Sequence, residues 1–269
     1  MNNAKIGYGQ FHPEFGNRVA NLGKVSEFTE KGKDADLIVF TELAVSGYDF
    51  RDRDELFSLA EPFEDGPTST TLLELAEKFD TTLVIGYPEI DGDNLYNSCM
   101  LVTPDGRKYN YRKIHLFSRE TIIFTPGDSP PPVIDTPAGK VGLMICFDWI
   151  YPETARLLGL GGAQIIAHPS NLVLQFCQRA MYARSIENGV FSITANRIGT
   201  EDRTDRSLTF TGSSQVLDPK GNTLVQAPTD SDHLGIVEVD LSMADNKFLT
   251  EHNHIFEGRR TQLYGDLVK

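Results

Sequence analysis

Residues 140–147, KVGLMICF, repeat the pattern of residues 5–11, KIGYGQF, and this echo indicates how the chain is built. In both stretches a lysine leads into a run of apolar or small residues that is typical of a buried strand. Two further pairs follow in the same order: ADLIVFTEL at 35–43 with AQIIAHPSNL at 163–172, and SCMLVTPDGRKY at 98–109 with SSQVLDPKGNTL at 213–224. The order indicates two related halves of the βαβ type that face each other.

Apolar runs alternate with amphipathic stretches within the first half. The runs at 4–11, 35–43 and 81–89 predict strands, and the stretches at 16–32 and 68–80 predict helices. Pro-Asp-Gly and Pro-Lys-Gly in the third pair supply turn chemistry for two hairpins. Strands that alternate with helices predict an α/β layered fold.

The composition is that of an ordinary folded protein. The chain has 269 residues, 40% of them hydrophobic, and a formal net charge of -13 at pH 7. The acid excess argues against a nucleic-acid binder, which needs a basic surface, and against attraction to an anionic membrane. The N-terminus lacks the apolar core of a secretory signal, and three cysteines without CxxC spacing indicate free thiols in a reducing cytoplasm.

The chain shows no linker that would divide it. The Pro-rich stretch at 125–139 is short and is interpreted as a rigid surface loop. We therefore expect one domain over residues 1–269, with a polar-aromatic C-terminal tail at about 246–269 that packs on it.

Cys146 is the first candidate for a reactive group. It lies at the carboxyl end of the predicted strand 141–145, where ligand clefts form in open α/β sheets. A predicted helix follows, and a helix N-terminus stabilises a thiolate. Taken alone, the stretch slightly favours an inert buried thiol. Cys99 lies in a predicted hairpin strand and Cys177 in LVLQFCQRAMYARSIEN at 172–188, which is predicted to be helical, and both are interpreted as packing residues.

Two charged residues are candidate partners of this thiol. Glu42 lies at the carboxyl end of its predicted strand and meets Cys146 if the two strands are neighbours in one sheet. It would then be a general base with a pKa raised by burial; a solvated turn glutamate is the alternative. The echo favours function, because it puts Glu42 and Asn171 at matching strand ends. Lys113 is a candidate for stabilising an oxyanion, although a solvent-facing strand lysine is favoured when it is taken singly. Glu120, seven residues further on, is equally ambiguous.

The sequence gives no sign of a metal or a cofactor. None of the six histidines lies in a reliable catalytic signature, and His168 is the best placed of them. His252 and His254 are two residues apart, which is poor evidence for a metal site. No phosphate-binding loop or dinucleotide fingerprint is present. We expect neither metal nor cofactor.

Together, FTELAVSGY around Glu42, YRKIHLF around Lys113 and MICFDWIYPE around Cys146 resemble the nitrilase superfamily of carbon-nitrogen hydrolases. The three motifs stand in the family's order, and the resemblance covers nearly the whole chain. It implies a four-layer αββα sandwich and a homodimer or higher homo-oligomer paired through helices. By the resemblance, Cys146 is the nucleophile, Glu42 the base, and Lys113 an oxyanion ligand together with the backbone N–H of Phe147. Glu120 matches a second glutamate that positions substrate or water.

The reaction and the pocket are less sharply defined. Cys-Phe-Asp-Trp is closer to aliphatic amidases and N-carbamoyl hydrolases than to true nitrilases, so we expect hydrolysis of a small amide to acid and ammonia. Nitrile hydrolysis, N-carbamoyl amine hydrolysis and a non-catalytic interaction protein of this fold are the alternatives. The candidate substrate-binding residues are Tyr48, Phe147, Trp149 and Asn171. Aromatic walls suit a small uncharged chain, and packing in the core or a dimer is an equal alternative for Phe147, Trp149 and the nearby Tyr151.

Overall fold

Two six-stranded sheets form the centre of the computed structural model, which describes residues 3–269. The strands are β1 (Asn3–Gln10), β2 (Leu37–Phe40), β3 (Thr82–Asp91), β4 (Asn94–Val102), β5 (Lys108–Arg112), β6 (Val133–Thr136), β7 (Gly139–Leu143), β8 (Ile165–Pro169), β9 (Phe191–Ala195), β10 (Thr200–Asp202), β11 (Ser207–Thr209), β12 (Gln215–Leu217), β13 (Thr223–Gln226), β14 (His233–Asp240), β15 (Phe248–Thr250) and β16 (Asn253–His254). The helices are α1 (Arg18–Lys31), α2 (Arg53–Leu59), α3 (Pro67–Phe79), α4 (Glu120–Ile123), α5 (Pro152–Leu160), α6 (Cys177–Asn188) and α7 (Ser242–Asp245), and there are 3₁₀ turns at Cys146–Ile150, Thr261–Leu263 and Gly265–Val268.

The two sheets have the same plan. The first has the strand order β14-β1-β2-β3-β4-β5 and the second, read from its other edge, β6-β7-β8-β9-β12-β13. In each, three parallel strands (β1, β2 and β3, or β7, β8 and β9) lie between an antiparallel edge strand and an antiparallel hairpin. The predicted pair of related halves is confirmed, and so are the two hairpins.

The sheets pack face to face, and helices cover both outer faces. Strands β2 and β3 contact β8, which brings the two parallel cores together. Helices α1 and α3 bury Leu22, Phe28 and Leu72 against the first sheet, and α5 and α6 bury Leu158 and Met181 on the second. Full burial of each such side chain contributes roughly 1.5–3 kcal/mol to the free energy of folding. The buried apolar faces of these helices therefore hold the four layers together. The expected αββα sandwich is confirmed.

Most predicted elements agree with the structure to within a few residues, and two of the differences lie near Cys146 and Cys177. The strand before Cys146 ends at Leu143. The chain leaves the sheet there because the next residues enter a 3₁₀ turn that begins at Cys146. The stretch leading to Cys177 was predicted to be helical, but α6 begins only at Cys177. Leu172 instead donates its N–H to the side chain of Asn196, which holds this stretch as a loop.

The last part of the chain folds back on the sandwich. Strands β15 and β16 form a short hairpin within the predicted tail, and the ring of Phe256 lies against Gly159 of α5. The division into one domain and a tail stays a prediction. Within residues 3–269, no helix is both long enough and apolar enough to cross a membrane.

Candidate active site

Glu42 is positioned by the close approach of its backbone to a glycine of β3, Gly86. Strand β2 ends at Phe40, and the chain then crosses β3 at Gly86. A Cβ on Gly86 would lie 2.4 Å from the Cα of Glu42, so only glycine allows the crossing. Two backbone hydrogen bonds fix it, from Gly86 N–H to Thr41 (3.0 Å) and from Ala44 N–H to Gly86 (2.9 Å). Glu42 is thereby held in place and is fully buried.

Lys113 lies directly beside this carboxylate. Its Nζ is 2.7 Å from Oε1 of Glu42, and neither side chain is exposed. Asn97 of β4 donates a second hydrogen bond of 2.7 Å to the same oxygen, while Oε2 of Glu42 has no partner among the described residues. Strand β5 ends at Arg112, one residue before Lys113. The alternation of inward and outward side chains along a strand therefore does not apply to Lys113 and does not turn it toward solvent.

Glu120 completes a chain of buried charges. Its two oxygens accept hydrogen bonds from Nζ of Lys113 at 2.9 and 2.7 Å. The hydroxyl of Tyr48 donates to Glu120 at 2.6 Å, and the N–H of Phe117 donates at 3.1 Å. One ammonium thus lies between two carboxylates. Burial alone lowers the pKa of Lys113, but the charges of Glu120 and Glu42 outweigh burial and raise the pKa, so the lysine is a permanent cation.

Cys146 sits in a strained turn that opens the 3₁₀ helix. Its φ is +40°, in the left-handed region that costs a non-glycine residue on the order of 1–3 kcal/mol. Asp148 stabilises the turn by accepting the N–H of Ile145 at 2.8 Å. The same buried carboxylate accepts from the hydroxyl of Tyr111 at 2.9 Å and contacts the ring of His115 at 2.8 Å. The acid two residues after the cysteine is therefore a brace for the turn.

The thiol is within the electrostatic reach of the charged chain. Burial raises the pKa of the Cys146 thiol well above its usual value, and the charges of Glu42 and Glu120 act in the same direction. Lys113 opposes them, and so does a hydrogen bond from the backbone of Asn171. The resting sulfur is consequently a protonated thiol, which becomes a nucleophile when a base removes its proton.

Burial also raises the pKa of Glu42, against the opposing effects of Lys113 and of the hydrogen bond from Asn97. A carboxylate with a raised pKa is a better proton acceptor than an ordinary one. The unpartnered Oε2 of Glu42 is the oxygen that has capacity for such a proton.

A small apolar cleft opens at Cys146. Its walls are Phe117, Cys146, Phe147, Trp149, Asn171, Leu172, Val173 and Leu174. Three of the four residues expected to bind substrate therefore line the cleft. Tyr48 does not, since its hydroxyl is bound to Glu120. Its ring instead packs edge-on against Phe210.

His168 lies behind Cys146. Its Nε2 is 2.9 Å from the carbonyl oxygen of Cys146, and its Nδ1 is 3.2 Å from the hydroxyl of Thr194. Burial lowers the pKa of His168 to about 4, so the ring is neutral at ordinary pH. Through its contact with the carbonyl of Cys146, His168 supports the turn, and it does not line the cleft.

The structure shows how Glu42 and Cys146 come together. Their strands are not neighbours in one sheet, the condition considered from the sequence, because β2 lies in the first sheet and β7 in the second. Glu42 and Cys146 come close because the two sheets face each other. The carboxyl ends of the parallel strands of both sheets then lie at the same edge of the sandwich. Asn171, in the second half, donates a hydrogen bond of 2.9 Å to the backbone carbonyl of Glu42 across this gap.

Two contributors went unrecognised in the sequence. Asn97 is hidden within an apolar strand, where nothing local marks it. Asp148 had a visible signal, since an acid stands in the middle of the apolar run CFDWI.

Within residues 3–269, no group of three or more histidine, cysteine and acidic side chains has a geometry that would hold a metal ion.

The family model described as carbon-nitrogen hydrolase matches residues 5–246, which include all four charged or reactive groups of the site. The chain belongs to the carbon-nitrogen hydrolase family. This hydrolase is 41% identical over 262 residues to a nitrilase of Pyrococcus abyssi, with 97% of this chain and 98% of that one covered. It is 35% identical to an (R)-stereoselective amidase of Pseudomonas, over 85% and 84% of the two chains.

A solved structure agrees with the same assignment. The crystal structure of a carbon-nitrogen hydrolase from Helicobacter pylori G27 superimposes with a TM-score of 0.90 at 28% identity, covering 99% of both chains. The protein is thus a hydrolase that acts on carbon–nitrogen bonds other than peptide bonds.

Proposed function

We propose that this hydrolase cleaves a small aliphatic amide to a carboxylic acid and ammonia through a thioester on Cys146. The observation that carries the proposal is the unpartnered Oε2 of Glu42, buried near the thiol in a carboxylate whose other oxygen is held by two donors. This oxygen is free to accept a proton and to pass it on.

The first half of the reaction forms the thioester. Oε2 of Glu42 takes the thiol proton while the sulfur of Cys146 bonds to the carbonyl carbon. The developing oxyanion is stabilised by Lys113 and by the N–H of Phe147, which lies in the unpaired first turn of the 3₁₀ helix. Collapse of this intermediate breaks the C–N bond, and the protonated Glu42 gives its proton to the departing nitrogen as ammonia leaves.

The second half releases the acid. Glu42 takes a proton from water as the oxygen attacks the thioester carbon. The C–S bond then breaks, and the proton returns to the sulfur of Cys146. Glu120 holds Lys113 in position throughout, because both of its oxygens accept from Nζ.

Hydrogen-bond capacity favours an amide over a nitrile. Two buried acceptors near the thiol, Oε2 of Glu42 and Oδ1 of Asn171, have no partner among the described residues. An amide nitrogen carries two N–H donors that match them, whereas a nitrile nitrogen donates nothing and leaves both unsatisfied. N-carbamoyl amines present the same NH₂ group. The cleft walls formed by Phe147 and Trp149 suit a short uncharged chain.

Nitrile hydrolysis is the second candidate. It is supported by the 41% identity to the Pyrococcus abyssi protein named a nitrilase. The thiol, the base and the cation would serve it in the same roles, with two waters consumed for each ammonia released.

Ammonia release from propionamide, propionitrile and N-carbamoyl ethylamine tests the proposal. We expect propionamide to be the best of the three, and Cys146→Ala to abolish release. Cys177→Ala, which removes another buried thiol, is the matched control and should retain activity. Faster release from the nitrile would replace the amidase assignment, and full activity in Cys146→Ala would overturn the thioester mechanism.

A further inference from the structure

We propose that Asn97 is a positioning residue, which holds Glu42 so that Oε2 is the oxygen presented for proton transfer. The inference rests on the proposed function, because it concerns the base of that reaction. It assigns a role to a strand residue that neither touches the cleft nor bears a charge.

The two oxygens of Glu42 have opposite environments. Oε1 accepts from the side-chain amide of Asn97 and from Nζ of Lys113, each at 2.7 Å, while Oε2 has no partner among the described residues. Two donors, one from β4 and one from the residue that follows β5, fix both the position and the plane of the carboxylate. Without Asn97, one donor would remain, and rotation about the last side-chain bond would let either oxygen pair with Lys113.

Asn97 is itself firmly placed. It lies within β4, is fully buried, and its carbonyl accepts the N–H of Lys113 at 2.8 Å. The same residue therefore binds the base through its side chain and the cation through its backbone. A change in where Asn97 sits would move both groups together.

A neutral donor suits this position. The titratable and charged groups near Glu42 are Lys113, Glu120, Cys146, Tyr48, Arg197 and Cys99. Lys113 already supplies the positive charge next to the carboxylate. A second cation would stabilise the ionised form so strongly that it would accept protons poorly, whereas an amide orients the carboxylate with a smaller effect on its basicity.

The test is the pH profile of Asn97→Leu, with Asn110→Leu as a matched control. The amide of Asn110 also donates to a carboxylate at 2.7 Å, but the acceptor is Glu89, outside the site. A hydrogen bond to a charged group corresponds to about 1–2 pH units of pKa. We expect the acidic limb of kcat/KM for Asn97→Leu to move upward by about that amount, because loss of a donor disfavours the ionised base. The limb of Asn110→Leu should stay at the wild-type pH.

A purely structural role would lower activity equally at every pH and leave the limb in place, and that result would overturn the inference. Asn97→Ser, a smaller polar change, guards against a variant that fails to fold, and it should show the same upward movement. Thermal unfolding of all three variants shows which of them are folded.

A second readout separates this inference from the proposed function. The rate at which iodoacetamide alkylates Cys146, followed by peptide mass, reports base-assisted loss of the thiol proton without turnover. We expect its inflection to move upward in Asn97→Leu as well. If no amide is hydrolysed but the inflection moves, the proposed reaction fails and the role of Asn97 stands. If amides are hydrolysed and neither profile moves, the role of Asn97 fails alone.

Discussion

The side-chain amide of Asn171 donates a hydrogen bond of 2.9 Å to the backbone carbonyl of Glu42, and this contact joins the two halves of the sandwich. Each residue lies two positions beyond the end of a central parallel strand, β2 for Glu42 and β8 for Asn171. The proposed base, Glu42, is supplied by one half and the proposed nucleophile, Cys146, by the other. Their separation is therefore set by how the sheets pack, and the predictions below probe the contacts that hold it.

Replacing Lys113 by alanine should remove most of the activity. Glu42 and Glu120 would then lie together without the cation that separates them, and the oxyanion would lose a donor. We expect kcat/KM for propionamide to fall by on the order of 10² to 10³. Lys140→Ala is the control, since this exposed lysine is 3.9 Å from Asp135, and it should behave as wild type. Activity within tenfold of wild type in Lys113→Ala would contradict the oxyanion role.

Gly86→Ala should displace the base. The new Cβ would meet backbone atoms, 2.4 Å from Cα of Glu42 and 2.5 Å from N of Leu43, so the loop must shift. Misplacement by about 1 Å can cost on the order of 10² in rate. Gly23→Ala in α1 has open space around its Cβ and should be neutral or stabilising by up to about 1 kcal/mol. Thermal unfolding and propionamide kinetics are measured on both variants. Unchanged kinetics in Gly86→Ala would contradict the requirement for glycine where the chain crosses β3.

Tyr48→Phe isolates the hydrogen bond to Glu120. The hydroxyl donates at 2.6 Å to a buried carboxylate, a contact of about 1.5–3 kcal/mol. We expect kcat to fall about tenfold as Glu120 and Lys113 lose their alignment. Tyr87→Phe removes a comparable buried contact, a 3.1 Å bond to Asn110, and should lower stability while sparing kcat. Equal kcat values in the two variants would show that Tyr48 is structural only.

Stability should fall as the pH is lowered from about 6.5 to about 4, partly through His168. Its pKa is about 4 in the folded protein and near 6.5 when unfolded, so the unfolded chain binds the extra proton in this range. The contribution is complete above about 6.5, is lost as pH falls, and amounts to about 3 kcal/mol. His168→Gln should show a shallower loss of unfolding free energy by urea titration across this range. An identical slope in both proteins would mean that His168 does not take up the proton.

The sequence predicted the elements well because local patterns determine them. The apolar run before Glu42 and the turn residues after Val102 sufficed for the strands and hairpins. The repeated pattern predicted two halves that face each other, but the side chains that meet between the two sheets were not accessible from such patterns, since apolar residues on both faces of a strand do not reveal which face lies opposite the other sheet. Asn97 was missed because an asparagine within a predicted strand does not show which side chain it will meet. The expected homodimer stays a prediction that sedimentation tests.

The chain Glu42–Lys113–Glu120 has a consequence for what leaves the cleft. Two acidic side chains and one ammonium are enclosed near the sulfur. A neutral amide enters without an electrostatic penalty, whereas the carboxylate product of its hydrolysis meets a site of like sign and low polarity. Expulsion of the acid is thereby favoured, and propionate at millimolar concentration should be a poor inhibitor of propionamide turnover.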